Sequence, residues 1–218
     1  MADQDTGSAE AALERHAERA REVEHRVKNT LQLISSIVLL QGRRASDEGA
    51  RQALRAVQQR VAAVSVSHRH VGWADDSERV EVAALVREIV SDLAGSAGRD
   101  DVAIELDLEA VTIPGRQAAP VALLVSETVS NALRHAYPAG RSGHISVVLR
   151  RTGGALELIV ADDGVGLPPE GPSKAGFGLT VAQLMAQQLR GRLTTESAQP
   201  GVRLSVTMPM DAEALPRA

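Results

Sequence analysis

From Ala9 to Arg43 the chain runs without a proline, and without a glycine until Gly42. Apolar residues recur along it at Leu13, Ala20, Val23, Val27, Leu31, Ile34, Val38 and Leu40. Steps of mostly three and four residues place them on one face of a helix. "GRRASDEG" then interrupts the pattern. Gly42 suits a helix C-terminus, and Ser46 or Asp47 suits the next N-cap. Beyond it, Ala50, Leu54, Val57, Val61, Val64, His68 and Val71 form a heptad seam. Two long helices joined by a short loop make an antiparallel hairpin. Two helices alone bury little surface, so dimerisation into a four-helix bundle is the expected remedy.

"GWADDSER" (Gly72 to Arg79) reads as a linker, and the texture changes after it. Val82 to Leu93 has a helical pattern, and Val102 to Leu108 alternates like a strand. Ala118 to His135 is helical. Ile145 to Arg150 and Ala155 to Ala161 are strand-like runs separated by "RTGG", a plausible hairpin turn. Phe177 to Leu189 is helical, and "RLTTES" and "VRLSVTMP" close the chain as a strand pair. Helices and strands mix here without regular alternation. The expected class is α+β: a helical hairpin in residues 1–73, then an α/β sandwich in residues 80–211 with helices on one face of a mixed sheet.

Composition narrows the function. Aromatics make up 1% of 218 residues (Trp73, Tyr137 and Phe177), so the core is aliphatic and base-stacking on aromatic rings is nearly unavailable. The net charge of -4 gives no global basic field, so no nucleic-acid partner is expected. No cysteine is present, which removes disulfides and thiolate metal sites and fits a reducing compartment. The start is polar, with no apolar signal-peptide core, and no apolar run reaches the roughly 18 residues of a membrane span. A cytoplasmic location is the expectation.

Three stretches carry chemistry. In "SETVSNALRHA", Glu127, Asn131 and His135 recur every four residues as one polar helix stripe, with Leu123, Leu124, Val125, Val129 and Leu133 covering the other side. A carboxylate and a carboxamide one turn apart can hold a hydrated Mg2+; alone, the stripe also fits a solvated face. In "ADDGVGLP" an apolar strand ends in Asp162 and Asp163, followed by Gly164 and Gly166. The glycines permit positive φ and close ligand approach, and a carboxylate there can accept from an exocyclic amine such as that of adenine. A plain turn fits as well. In "KAGFGLTVAQLMAQQL", Gly176 and Gly178 open a helix whose free amides suit phosphate. This is neither a P-loop nor a Rossmann fingerprint.

In order and spacing, these stretches resemble the N, G1 and G2 boxes of the GHKL ATP-binding fold, shared by histidine kinases, gyrase-type topoisomerases, Hsp90 and MutL. The resemblance covers roughly residues 80–210 and implies ATP and Mg2+. It implies adenine on Asp162, phosphates near Gly164, Gly166, Gly176, Phe177, Gly178 and Leu179, and Mg2+ on Asn131 and Glu127. Arg134 or His135 would touch phosphate, and the segment from Leu167 to Ala175 would form a lid.

"EHRVKNTLQLISSIVLLQ" resembles the phosphoacceptor box of sensor histidine kinases, in the subclass with H-R-x-x-N on the first bundle helix. Glu24 stands where that subclass often has a first histidine, and His25 takes the phosphoacceptor place. With Val23 and Val27 facing inward, His25 is expected to point to solvent. Its imidazole must be neutral and reachable to act as a nucleophile. Glu24 or another nearby carboxylate would orient the ring, Arg26 would contact phosphate oxygens, and Asn29 lies one turn on. An acidic residue often follows the histidine in other subclasses; here that place holds Arg26, which leaves Glu127 as the alternative base. The function implied is ATP-dependent autophosphorylation of His25, then transfer to an aspartate of a response-regulator receiver domain. A phosphotransfer protein that relays phosphate without using ATP is the alternative.

Overall fold

A computed structural model of the chain describes residues 3–71, 79–138, 140–167 and 177–210, and gives the backbone alone for residues 3–17, 19–21 and 24. Helix α1 (Asp3–Arg44) and helix α2 (Glu48–His70) form the hairpin. Asp47 is the N-cap of α2, its carboxylate accepting from the Ala50 amide at 2.7 Å. Val27, Leu31, Ser35, Val38 and Gly42 form the half-buried face of α1. The helices approach so closely near the loop that a Cβ on Gly42 would stand 3.8 Å from Leu54.

That register corrects one expectation. Val23 does not face inward; it is 47% exposed. With Gly42 beside Leu54 in an antiparallel pair, Val23 falls beyond the last turn of α2. Ile34 and Leu40 are also exposed, at 39% and 55%. The residues Leu13 and Ala20 have no described side chain, and the linker 72–78 lies outside the described residues.

The C-terminal half is built around a five-stranded sheet in the order β2-β4-β5-β7-β6. Strands β2 (Val102–Leu108) and β4 (Gly143–Thr152) are parallel. The pairs β4–β5, β5–β7 and β6–β7 are antiparallel, with β5 at Ala155–Asp162, β6 at Arg192–Ser197 and β7 at Val202–Pro209. The β4–β5 turn places Gly153 and Gly154 at φ 55° and 84°, as a tight primed turn requires. A small antiparallel pair, β1 (Arg79–Glu81) with β3 (Thr112–Pro114), was not foreseen, since three-residue strands carry no readable periodicity.

Helices α3 (Val82–Ala97), α4 (Ala118–His135) and α5 (Phe177–Gln188) complete the α/β half. The core is aliphatic: Leu85, Val86, Leu124, Val125, Ile145, Leu149, Leu156 and Leu158 are almost wholly buried, with Tyr137 the buried aromatic at its edge. This core continues into the hairpin. Ala63 and Val66 of α2 are buried in the same cluster, and Ser67 beside them is 1% exposed. Helix α2 therefore has a second face, distinct from its heptad seam, that packs on α3 and α4. Among the described residues, no helix is long and apolar enough to cross a membrane.

Candidate functional site

Helix α4 is buried on nearly every side, and Glu127 is itself only 4% exposed. The stripe of Glu127, Asn131 and His135 is thus a wall within the protein at one end and opens to solvent at the other. A buried carboxylate needs partners. Glu127 takes them from the hairpin: Arg60 of α2 donates from Nε to Oε1 at 2.7 Å and from a terminal nitrogen to Oε2 at 3.1 Å. The guanidinium also lies 4.8 Å from the ring centroid of Phe177, the first residue of α5.

Gly178 closes the same corner. A Cβ there would stand 2.6 Å from Glu127 Oε2 and 3.8 Å from a terminal nitrogen of Arg134. A larger residue there would have to displace the Glu127 carboxylate. Arg134 has its pKa lowered by burial and, less, by the positive Arg60, while Glu127 opposes the shift. His135 is pushed down by burial and by Arg134, which keeps its ring neutral at neutral pH. Asn131 and Leu179 are half-buried. Ser130 Oγ is buried with no hydrogen-bond partner among the described residues.

Asp162 ends β5 and is 9% exposed. Its Oδ1 accepts from the amides of Gly164 at 3.0 Å and Val202 at 3.3 Å. Burial raises its pKa, and those two amides partly offset the rise. The two glycines of the loop do different work. Gly166 has φ 80°, a true left-handed position. Gly164 is required by crowding, since a Cβ there would stand 2.3 Å from the carbonyl oxygen of Ala136 at the end of α4. The neighbouring Asp163 is structural: it accepts from the His144 amide at 2.8 Å and from the Tyr137 hydroxyl at 2.9 Å.

His25 is exposed on α1, and its Nδ1 lies 3.1 Å from the Asn29 amide nitrogen. The ring's described partner is therefore a carboxamide rather than a carboxylate. Arg26 pairs with Glu22 at 2.6 Å on an exposed face, where such a pair contributes little. The Glu24 side chain, Gly176 and the lid residues 168–175 lie outside the described residues.

The fold thus brings together Glu127, Asn131, Arg134, Phe177 and Gly178, with Asp162 and Gly164 joined to them through the end of α4. It does not bring His25, Arg26 and Asn29 to that corner. With Gly42 beside Leu54, Arg60 lies near the level of Ser36, and His25 stands about 15 Å further along the hairpin at ~1.5 Å rise per residue. Sequence reasoning missed Arg60, Gly201 and Tyr137. Arg60 carried no local signal, being one polar residue beside a heptad seam. Gly201, at φ 96°, packs where a Cβ would stand 1.7 Å from the Asp162 carbonyl oxygen. Among the described residues, no cluster of three or more His, Asp or Glu is placed to hold a metal ion. The oxygen donors that would suit Mg2+ here are those of Asn131 and Glu127.

Comparison with known proteins places this geometry. A family model described as histidine kinase matches residues 22–97, and one described as histidine kinase-, DNA gyrase B- and HSP90-like ATPase matches residues 117–212. The sensor histidine kinase PdtaS of Mycobacterium tuberculosis is 29% identical over 171 residues, covering 78% of this chain and 33% of its own length. The blue-light-activated histidine kinase 2 of Erythrobacter litoralis is 26% identical over 199 residues, covering 88% of this chain and 57% of its own. The chain therefore spans between a third and three-fifths of these relatives. The histidine kinase domain of an Erythrobacter litoralis blue-light-activated kinase superposes with a TM-score of 0.67 at 25% identity, over 90% of this chain and 95% of that one.

Proposed function

We propose, since this chain belongs to the histidine kinase family, that it autophosphorylates His25 from ATP and passes the phosphoryl group to an aspartate of a response-regulator receiver domain. The observation that carries this reading is the exposed His25 ring, engaged at Nδ1 by Asn29, on a hairpin packed against a GHKL-type site. The matches to both a histidine kinase model and an ATPase model favour the kinase over a protein that relays phosphate without ATP.

The residues divide the work as follows. Asp162, fixed by the Gly164 and Val202 amides at one oxygen, offers the other to the exocyclic amine of adenine. The loop at Gly164 and Gly166 lets the chain turn beside the base. The first amides of α5 at Gly178 and Leu179 face phosphate, as helix N-termini do, with Arg134 and neutral His135 at the rim. Asn131 and Glu127 would hold Mg2+, which supplies neutralisation of the phosphate charge. Transfer is then mostly positioning. The bond from the terminal phosphorus to the bridging oxygen breaks, a bond from Nε2 of His25 to phosphorus forms, and ADP leaves. Nε2 needs its lone pair for this, so the ring proton must reside on Nδ1. Asn29 can accept that proton's hydrogen bond through Oδ1 once its amide rotates, and so holds the reactive tautomer.

The second apolar face of α1 supports dimerisation. Leu33, Ile34, Ile37 and Leu40 are 39–61% exposed on one hairpin, and a second hairpin covers them in a four-helix bundle. The division into a dimerisation and phosphoacceptor unit (1–73) and an ATP-binding unit (80–211), and a cytoplasmic site of action, are part of this proposal.

The test is incubation with γ-labelled ATP. The label should be lost in acid and stable in base. His25→Ala should abolish it, and Asn131→Ala should remove Mg2+-dependent labelling while preserving the fold. Labelling that persists in His25→Ala would refute this acceptor.

A further inference from the structure

Glu127 has both carboxylate oxygens occupied by one side chain, and that side chain comes from the hairpin. The Arg60 fork spans Oε1 and Oε2 at 2.7 and 3.1 Å. The pair is well enclosed, with 17% of the Arg60 and 5% of the Glu127 side chain exposed. The guanidinium also stacks on Phe177, at the first turn of the helix whose next residue, Gly178, touches Glu127. Three elements, α2, α4 and α5, therefore meet on one cation at the phosphate end of the nucleotide site.

We propose that Arg60 is a positioning residue that competes with Mg·ATP for Glu127, so that loading the nucleotide unties α4 from α2. This rests on the reading of Glu127 and Asn131 as the pair that faces Mg2+. The competition is direct. A carboxylate that gives one lone pair of each oxygen to a bidentate fork has only the outward-facing pairs left for a divalent cation. A guanidinium held within 3 Å of that carboxylate also repels the cation. Binding free energy must therefore be spent to move Arg60, and linkage makes the effect reciprocal: whatever favours the Arg60 contact weakens Mg·ATP.

The contact has a geometric consequence as well. Arg60 ties α4 to the hairpin about 15 Å short of the level of His25, at ~1.5 Å per residue of helix. While the tie holds, the phosphate end of the site stays at the middle of α2, short of His25. Once Mg·ATP displaces Arg60, the remaining contacts at Ala63, Val66 and Ser67 are small apolar and hydroxyl side chains. They carry no charge; the charge pairing that then remains between α2 and the ATP-binding half is that of Arg69 and His70 with Glu88 of α3.

The experiment compares the full chain with Arg60→Ala and Arg60→Lys, titrating ATP calorimetrically with Mg2+ and with EDTA. The expected result is tighter Mg·ATP binding in Arg60→Ala, by about five- to fiftyfold, the range of a typical coupling between two ligands. Its ATP affinity in EDTA should match the parent. Arg60→Lys, whose single ammonium cannot fork across both oxygens, should fall between them. It also keeps the test alive if leaving Glu127 unpaired prevents Arg60→Ala from folding. In the Glu127→Gln background, replacing Arg60 should no longer change the Mg2+ dependence. Weaker Mg·ATP binding in Arg60→Ala would overturn the proposal and make Arg60 a phosphate ligand; unchanged binding would overturn it too. These readouts need no phosphohistidine, so absence of labelling in the parent chain would count against the kinase reading alone.

Discussion

The side-chain amide of Asn29 lies 3.1 Å from Nδ1 of His25, one turn along the same exposed face of α1. Among the described residues no other hydrogen bond reaches the His25 ring, so its tautomer and orientation depend on this contact. Asn29→Ala should therefore slow labelling of His25 about tenfold, or roughly 1.4 kcal/mol of transition-state stabilisation. The ATP affinity should not change, because Asn29 is far from the nucleotide site. Initial-rate labelling alongside calorimetric titration checks both halves of this expectation.

Asp162 is expected to trade stability for binding. Its pKa is raised by burial, so its folded-state value lies above the unfolded one. Stability from such a group is fully present below the unfolded pKa and is lost as pH rises through the folded pKa. At neutral pH the ionised carboxylate is thus a cost to the empty fold. Asp162→Asn keeps an oxygen for the Gly164 and Val202 amides but turns a donor toward adenine. Its thermal midpoint without ligand should rise or hold at pH 7, while ATP binding weakens about 10- to 100-fold, the cost of one mismatched buried polar contact. A melting curve and an ATP titration on the same sample test this.

Gly201→Ala should damage fold and site together. At φ 96° the new Cβ would stand 1.7 Å from the backbone oxygen of Asp162, so β7 or the end of β5 must shift. A loss of several kcal/mol is expected, roughly 2–4, from strain and backbone displacement together. Chemical denaturation measures it, and any protein that remains folded should bind ATP less tightly than the parent. Gly95→Ala, where a Cβ meets nothing within 4 Å in the last turn of α3, is the control and should not destabilise.

The junction between hairpin and α3 should respond to acid. Arg69 and His70, at the end of α2, both reach Glu88 of α3. The Arg69 hydrogen bond, assisted by His70, holds the Glu88 pKa below its ordinary value of 4.5. A depressed carboxylate stabilises above its unfolded pKa, and the contribution is lost as pH falls through the folded value. Glu88→Gln should therefore lower the thermal midpoint at pH 7, and the gap from the parent should narrow as pH falls below 4.5. Paired melting curves from pH 7 down to pH 3.5 show whether the gap narrows.

Much of the fold was legible because its elements are long and periodic. The bounds of Val102–Leu108 and Ala118–His135 follow from alternation and a helical stripe alone. Among the site residues, Asp162 and Gly166 were readable from turn chemistry at a strand end. Gly164 was readable as an important residue but for another reason: the Ala136 carbonyl crowds it, where ligand approach had been expected. The inward placement of Val23 failed because a helical stripe says nothing about where the partner helix ends.

The sequence by itself determined two long helices, an aliphatic mixed-sheet domain, and which side chains are candidates for the chemistry. Those follow from periods of two and 3.6 residues and from residue types at fixed spacing, all properties of neighbouring positions. Only the tertiary structure decided that Glu127 is buried, that Arg60, sixty-seven residues earlier, is its partner, and that this corner sits away from His25. Such pairings arise from how α2 docks on α4, and docking depends on surface complementarity between segments distant in the chain. A charge on a helix looks the same in sequence whether it meets water or a buried carboxylate.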